Sequence, residues 1–372
     1  MSDLRSVLDR ELRRVDVPPL SLETFYRRRE QKRRRDRVLA AALALTIALV
    51  SAGFFLRAFD RGGGRPATAI DVRPGSIAFV GVKGSGPGTG VFVYDPATRR
   101  TSTLVDLGCS VDTSGTRSCP GLQIRGIAWS PDGTRLAYSL IVSRGGNGAV
   151  WTGSEADAGM HVLDLRTGAT TLIAPCPRAT CGEIDDPAWS PDTSQIAYAR
   201  SGAIWIMNAD GTGARSVATT PGSGSPSWSP DGQSLVFAAE STFDGSGVVL
   251  FSVPIEGGAP APLILPVAGG ISIAGTEPEL SPDGSAVAFV EPASTGPMAG
   301  PDGRLVVADL VRGTSTTIRV GPRRLAEVGP PTWSPDGTEI ATTVDGVLYT
   351  VRPNGTGATE LAHAWTMPAY YP

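Results

Sequence analysis

The sequence predicts an all-β chain, and three observations carry that expectation. Gly and Pro number 46 and 31 among 372 residues, about a fifth of the chain where ~12% is usual. So many backbone punctuators rule against a helical bundle and suit short strands joined by tight turns. One phrase, a short apolar strand running into Trp-Ser-Pro-Asp-Gly, returns along the chain. Each return is followed by strand-length runs of Val, Ile, Leu and aromatic residues. A mean hydropathy of +0.00 with 19% charged residues argues against disorder, and the Gly positions lack the strict period of collagen.

The phrase reads IAWSPDGTRLAYSL from Ile127, PAWSPDTSQIAYAR from Pro187 and PSWSPDGQSLVFAA from Pro226. It returns as PELSPDGSAVAFVE from Pro278 and PTWSPDGTEIATTV from Pro331. Each copy is a strand, a Pro-Asp-Gly turn and a second strand; Gly accepts a positive φ, and Asp bonds its own backbone. At Asp192-Thr193 the Gly is missing, a departure expected to cost little. Third strands begin at Val91, Met160, Ile204, Val249, Leu305 and Val347, six against five phrases. The sixth phrase is split between the chain ends. Pro368-Ala369-Tyr370-Tyr371-Pro372 aligns with Pro187-Ala188-Trp189-Ser190-Pro191, and Pro74-Gly75 precedes the strand from Ser76. Six repeats of about 50 residues predict a six-bladed β-propeller whose first blade is closed by the C-terminal strand. Trp129, Trp189, Trp228 and Trp333 share one repeat position, so they read as packing between blades rather than ligand platforms. The Asp of each phrase reads as a turn residue rather than a metal ligand.

The repeats resemble the WD-like propeller repeats of the TolB family, the periplasmic component of the Tol–Pal envelope system. The resemblance spans about residues 74–372, carried by Trp129-Ser130-Pro131-Asp132-Gly133 and the equivalents starting at Trp189, Trp228, Leu280 and Trp333. It implies a propeller placed in the cell envelope. Where that family has an N-terminal α/β domain, this sequence has an apolar run. That arrangement is similar to single-pass, propeller-bearing envelope proteins of high-GC (actinobacterial) bacteria.

The charge is divided between two regions. Residues 1–37 hold 12 Lys and Arg against 7 Asp and Glu, whereas the whole chain holds 33 against 36. Val38 to Leu56 has no charge, and as a helix it spans about 28 Å, close to the ~30 Å hydrocarbon core. Arg27, Arg28, Arg29, Lys32, Arg33, Arg34, Arg35 and Arg37 crowd its N-terminal flank. The positive-inside rule therefore predicts a cytoplasmic segment at 1–37, a single transmembrane helix at 38–56, a flexible linker at 57–73 and an extracytoplasmic propeller at 74–372. A cleaved signal peptide cut near Ser51-Ala52-Gly53 is the rival, although its 37-residue leader would be long. Asp3 to Val15 carries Leu4, Val7, Leu8, Leu12 and Val15 at helical spacing, suiting a short amphipathic helix on the membrane or on a cytoplasmic partner. The basic run fits topology and anionic lipid better than nucleic acid.

Little in the sequence points to catalysis. There is no G-x-S-x-G nucleophile elbow in these residues, and no separate hydrolase domain is expected beside the six repeats. His161 and His363 fall in or beside strands and read as structural. Asn208-Ala209-Asp210-Gly211-Thr212-Gly213 lacks the P-loop Lys and the calcium-loop spacing, and so reads as a turn. No cofactor or metal is expected. Cys109, Cys119, Cys176 and Cys181 lie on the predicted oxidising side. Local disulfides Cys109–Cys119 and Cys176–Cys181 are the simplest pairing, cross-pairing of the two loops stays open, and the spacing is poor for zinc.

In a four-stranded antiparallel blade, first-to-second and third-to-fourth loops share one end, and second-to-third and inter-blade loops share the other. The insertions Ile141–Gly159, Glu240–Gly247 and Glu291–Gly303 and both Cys loops all belong to the second end. Elaborated loops on a rigid scaffold suit binding. Arg125, Asp185, Asp186, Ser225 and Glu277, just before first strands, are expected to ring the channel mouth there, joined by Trp151 and Glu155 from the longest insertion. The alternative is that the loops are variable decoration and the charges merely solvated; Ala at Arg125, Asp185 and Glu277 is expected to leave stability nearly unchanged and to abolish partner capture. The leading functional expectation is a membrane-tethered, non-enzymatic module binding an envelope protein, glycan or small ligand. One alternative is a transmembrane regulator using 1–37 on a cytoplasmic partner such as a sigma factor. The other is a propeller enzyme with a channel active site.

Overall fold

The computed structural model describes Ile70 and residues 72–372, apart from 82–89, 108–109, 112–116, 119–121, 143–154, 178–180, 241–247, 264, 268–269, 273–275, 293–301, 322–325 and 364–365. The expected cytoplasmic segment, the membrane helix at 38–56 and nearly all of the linker lie outside the described residues. Among the described residues no helix is long and apolar enough to cross a membrane.

Six antiparallel sheets form the blades. Blade 1 runs Thr366–Tyr370, Ile77–Gly81, Gly90–Asp95 and Arg100–Asp106, so the C-terminal strand supplies its first strand. Blade 2 is Leu122–Trp129, Arg135–Val142, Gly159–Asp164 and Ala169–Pro175; blade 3 is Ile184–Trp189, Gln195–Arg200, Ala203–Asn208 and Arg215–Ala218. Blade 4 is Gly224–Trp228, Ser234–Glu240, Val248–Pro254 and the short Ala261–Pro262. Blade 5 is Thr276–Leu280, Ala286–Pro292, Asp302–Asp309 and Thr314–Ile318, with Ala326–Glu327 added against Asp302–Gly303. Blade 6 is Thr332–Trp333, Ile340–Val344, Val347–Val351 and Thr359–His363. The expected split blade is present: Ile77 pairs with Tyr370 as Ile196 pairs with Trp189.

Burial along each blade explains its composition. Second and third strands are sandwiched between neighbouring blades on both faces, so they read as continuous apolar runs rather than alternating ones; Ile77–Gly81 is buried throughout. Fourth strands face solvent on the rim, as the exposed Arg100, Thr101, Ser102 and Thr103 show. One apolar cluster fills each junction. Leu136 and Tyr138 of blade 2 pack with Val80 and Val91 of blade 1, while Ala137 and Met160 pack with Trp189 and Tyr198 of blade 3. Equivalent clusters join blades 3 and 4, 4 and 5, 5 and 6, and finally 6 and 1, where Ala341 and Leu348 meet Ile77 and Phe92.

The tryptophans are the inter-blade packing that the repeat implies. The indole N–H of Trp129 donates to Ala369 O (3.2 Å), Trp189 to Ala128 O (3.1 Å), Trp228 to Ala188 O (3.0 Å) and Trp333 to Glu279 O (3.0 Å). Each reaches the first strand of the preceding blade. Blade 5 has Leu280 instead, and there the Leu280 backbone N–H donates to Ser227 Oγ (3.0 Å). Tyr370, at the blade 1 position, donates its hydroxyl to Glu339 Oε2 (3.3 Å).

The Ser-Pro-Asp-Gly turns are built identically. Ser130 Oγ donates to Asp132 Oδ1 (2.6 Å), which also takes the Thr134 N–H (3.0 Å), while Ser130 Oγ accepts the Arg135 N–H (2.9 Å). The same bonds recur around Asp192, Asp231, Asp283 and Asp336. Where Gly is missing, Thr193 itself takes φ +62, a strain on the order of 1 kcal/mol.

Candidate functional site: the channel mouth

First strands surround a central cavity of ≈ 470 Å³. At one repeat position its wall is Ile127, Pro187, Pro226, Pro278, Pro331 and Pro368. Proline is tolerated because the first strand is the inner edge of its blade, where the missing N–H would have no ladder partner.

The residue before each of these positions sets the character of the mouth. Asp186, Ser225 and Glu277 occupy it in blades 3, 4 and 5, with φ of +49, +50 and +52. Each lies where the pairing of first and second strands slips register. Side chains other than Gly pay about 1–2 kcal/mol for this conformation. In return the bulge turns three polar side chains toward one another. Ser225 N–H and Oγ both lie 3.1 Å from Asp186 Oδ2, and Ser225 Oγ lies 2.7 Å from Glu277 Oε2. Blades 6, 1 and 2 carry Pro330, Met367 and Gly126 there, so the mouth has an acidic arc on one side only.

The structure thus brings together Asp185, Asp186, Ser225 and Glu277, with Arg125 exposed on blade 2 as the nearby cation. One expectation is corrected. These residues lie within the first strands rather than just before them, because the strands begin earlier than the repeat phrase. The alternative of merely solvated charges does not describe Asp186, Ser225 and Glu277, which are part-buried, since the bulges fold them between blades. Burial pushes the Asp185 carboxyl up to about 6, helped by Asp186 and opposed by Arg125, and its Oδ1 is buried without a hydrogen-bond partner among the described residues. Burial raises Asp186, with the Glu277 charge adding to it and the Ser225 bonds and Arg125 opposing it. Burial likewise raises Glu277. Glu155 opens a short 3-10 turn, Glu155–Asp157, and Trp151 lies outside the described residues. Among the described residues no three of His, Cys, Asp and Glu are grouped to hold a metal ion.

One charged group escaped the sequence reading. Glu279 is enclosed between blades 5 and 6, accepting from Thr332 Oγ1 (3.3 Å) and Trp333 N–H (3.4 Å). Burial pushes its carboxyl up to about 8, against the pull of those bonds. The repeats do carry its signal: the position is Ala128, Ala188, Ser227, Thr332 and Ala369 elsewhere.

Cys176 and Cys181 form a disulfide with Cα atoms 5.0 Å apart, in the crossing from blade 2 to blade 3; Cys109 and Cys119 lie outside the described residues. Arg200 Nε (3.4 Å) and Ser201 Oγ (3.2 Å) donate to Cys181 O, fixing that crossing beside Asp185. His161 stacks on Tyr138 (5.2 Å between ring centroids), with Nε2 2.8 Å from Asp157 O, a structural role. Asp210 takes Thr212 N–H and Oγ1 in a tight turn, as its sequence suggested.

Among solved structures, TolB from Acinetobacter baumannii is similar at TM-score 0.59 and 17% identity, covering 80% of this chain and 67% of that one. A chain of a nidogen/laminin complex aligns at TM-score 0.56 and 11% identity, covering 80% and 98%. A putative TolB from Agrobacterium tumefaciens aligns at 0.52 and 16%, covering 81% and 100%. At such identities the likeness shows the fold. No curated protein matches the chain by sequence. The family model for the TolB beta propeller domain (PD40) matches residues 124–340, the stretch that holds all five Pro-Asp turns, and the chain belongs to that family.

Proposed function

We propose that this chain is a membrane-tethered propeller held outside the cytoplasm, where its loop-bearing mouth binds a protein partner. The observation that carries the reading is the asymmetry of the mouth. An acidic arc of Asp185, Asp186 and Glu277, with Arg125 beside it, stands at the end to which every long insertion belongs, whereas the opposite end has short Ser-Pro-Asp-Gly turns closed on themselves. Such turns have spent their polar groups on themselves, whereas in the arc Asp185 Oδ1 finds no hydrogen-bond partner among the described residues. Tethering is supported by the uncharged run 38–56 behind its basic flank, and an oxidising location by the Cys176–Cys181 disulfide.

Membrane fractionation and protease protection of the full-length chain test the placement. An integral protein whose propeller is cleaved only from the outer side is expected; a propeller protected with the cytoplasm contradicts it. Binding is tested by cross-linking in cells, comparing Arg125→Ala/Asp185→Ala with Arg166→Ala on the short-turn end. The first pair is expected to abolish the adduct and the second to leave it; the reverse pattern refutes the assignment.

A further inference from the structure

Ser225 Oγ carries one hydrogen and stands between two carboxylate oxygens, 3.1 Å from Asp186 Oδ2 and 2.7 Å from Glu277 Oε2. One hydrogen cannot serve both contacts. With both acids ionised, one of these approaches sets lone pair against lone pair; with one acid protonated, both become hydrogen bonds. The Ser225 backbone N–H is already given to Asp186 Oδ2, so it does not resolve the shortage. The three residues come from three blades at one repeat position, each in a left-handed conformation adopted at a cost.

We propose that Asp186, Ser225 and Glu277 form a proton-operated clasp joining blades 3, 4 and 5 at the channel mouth. With one shared proton the side chains form a continuous hydrogen-bonded chain. Loss of that proton to bulk water leaves two carboxylates competing for one hydroxyl hydrogen, and the mouth loosens.

The surroundings favour holding the proton. Asp185, in the first strand of blade 3, adds its charge to the repulsion on Glu277, and Glu183 just before that strand acts on Asp185. Arg125 of blade 2 is exposed and offsets it in part. Arg200 of blade 3 is engaged elsewhere, 5.0 Å above the Trp205 ring and bonded to Cys181 O. Glu240 of blade 4 stands beside Gly222, and Glu279 of blade 5 is bonded toward blade 6. Burial holds both clasp carboxyls above their ordinary range, helped at Asp186 by the Glu277 charge and at Glu277 by the Asp185 charge. The stabilisation is therefore complete below about pH 4, where the same groups titrate in the unfolded chain, and is lost as pH rises through their folded titration. The clasp stands whether or not a partner docks at this mouth.

The test is a carboxyl 13C NMR titration of the full-length chain, with Glu277→Gln as comparison. In the wild-type chain one clasp carboxyl is expected to titrate well above the ordinary value of about 4. In Glu277→Gln the neutral amide supplies the missing hydrogen, and the Asp186 titration is expected to move down. Two wild-type carboxyls titrating at or below ordinary values would overturn the proposal, as would an Asp186 titration unmoved by Glu277→Gln. The wild-type titration decides the matter alone if the variant does not fold.

Discussion

The Trp129 indole N–H donates to the main-chain oxygen of Ala369, 240 residues further along the chain, and the Trp129 ring stands edge-on to Tyr371 at 5.0 Å. This pair of contacts closes the ring, since Ala369 belongs to the strand that completes blade 1.

Removing Thr366–Pro372 therefore exposes the inner edge of Ile77–Gly81 and the flank of blade 2 at once. The truncated full-length chain is expected to aggregate or to melt far below the intact one in thermal unfolding. Trp129→Phe, which keeps the ring closed but loses one hydrogen bond and some buried area, is expected to cost about 1–2 kcal/mol. A truncation that melts with the intact chain would show that blade 1 closes without its last strand.

The repeat phrase made the fold legible. Trp, Ser and Asp each have one structural task that recurs in every blade, so their spacing exposes strands, turns and blade count together. Tyr370 was recognisable because its neighbours Pro368 and Ala369 kept the pattern. The mouth was legible in membership but not in geometry. Asp, Ser and Glu do not announce a positive φ as Gly does, so the bulges at Asp186, Ser225 and Glu277 were hidden, and with them the burial that draws these side chains together. Glu279 stayed hidden beside the more conspicuous Trp-to-Leu change at Leu280, although a carboxylate where other repeats have Ala, Ser or Thr was the larger anomaly.

Glu279 gives the alkaline side of the stability profile. Its folded titration near pH 8 lies above its unfolded value of about 4.5, so its contribution is full below 4.5 and is lost as pH rises through 8. Glu279→Gln, measured by chemical unfolding, is expected to gain roughly 2–4 kcal/mol relative to wild type between about pH 5 and 9. A constant difference across that range would mean that Glu279 ionises normally.

The Asp turns give the acid side. Hydrogen bonds from Ser281 and Ser285 hold Asp283 down to about 2, so its contribution is present above the unfolded value near 3.8 and is lost as pH falls toward 2. Asp283→Asn keeps the accepting oxygen and loses the charge. It is expected to leave neutral stability little changed and to make the acid loss shallower. Ser130→Ala strips Asp132 Oδ1 and Arg135 N–H of a buried partner and is expected to cost about 1–3 kcal/mol at neutral pH.

The Cys176–Cys181 bridge closes a short loop beside Asp185. Replacing both with Ala is expected to cost about 2 kcal/mol and to raise hydrogen exchange at Ile184–Trp189 before any other first strand. Uniform destabilisation without that local signature would mean that the bridge does not position the mouth.

The central claim is that the loop-bearing mouth, not the short-turn end, is where this propeller meets its partner. A photo-reactive amino acid placed in the full-length chain in cells, at Arg125 on the mouth or at Thr167 on the opposite end, tests it directly. Adducts from position 125 and none from position 167 are the predicted result. Adducts from position 167 alone would contradict it.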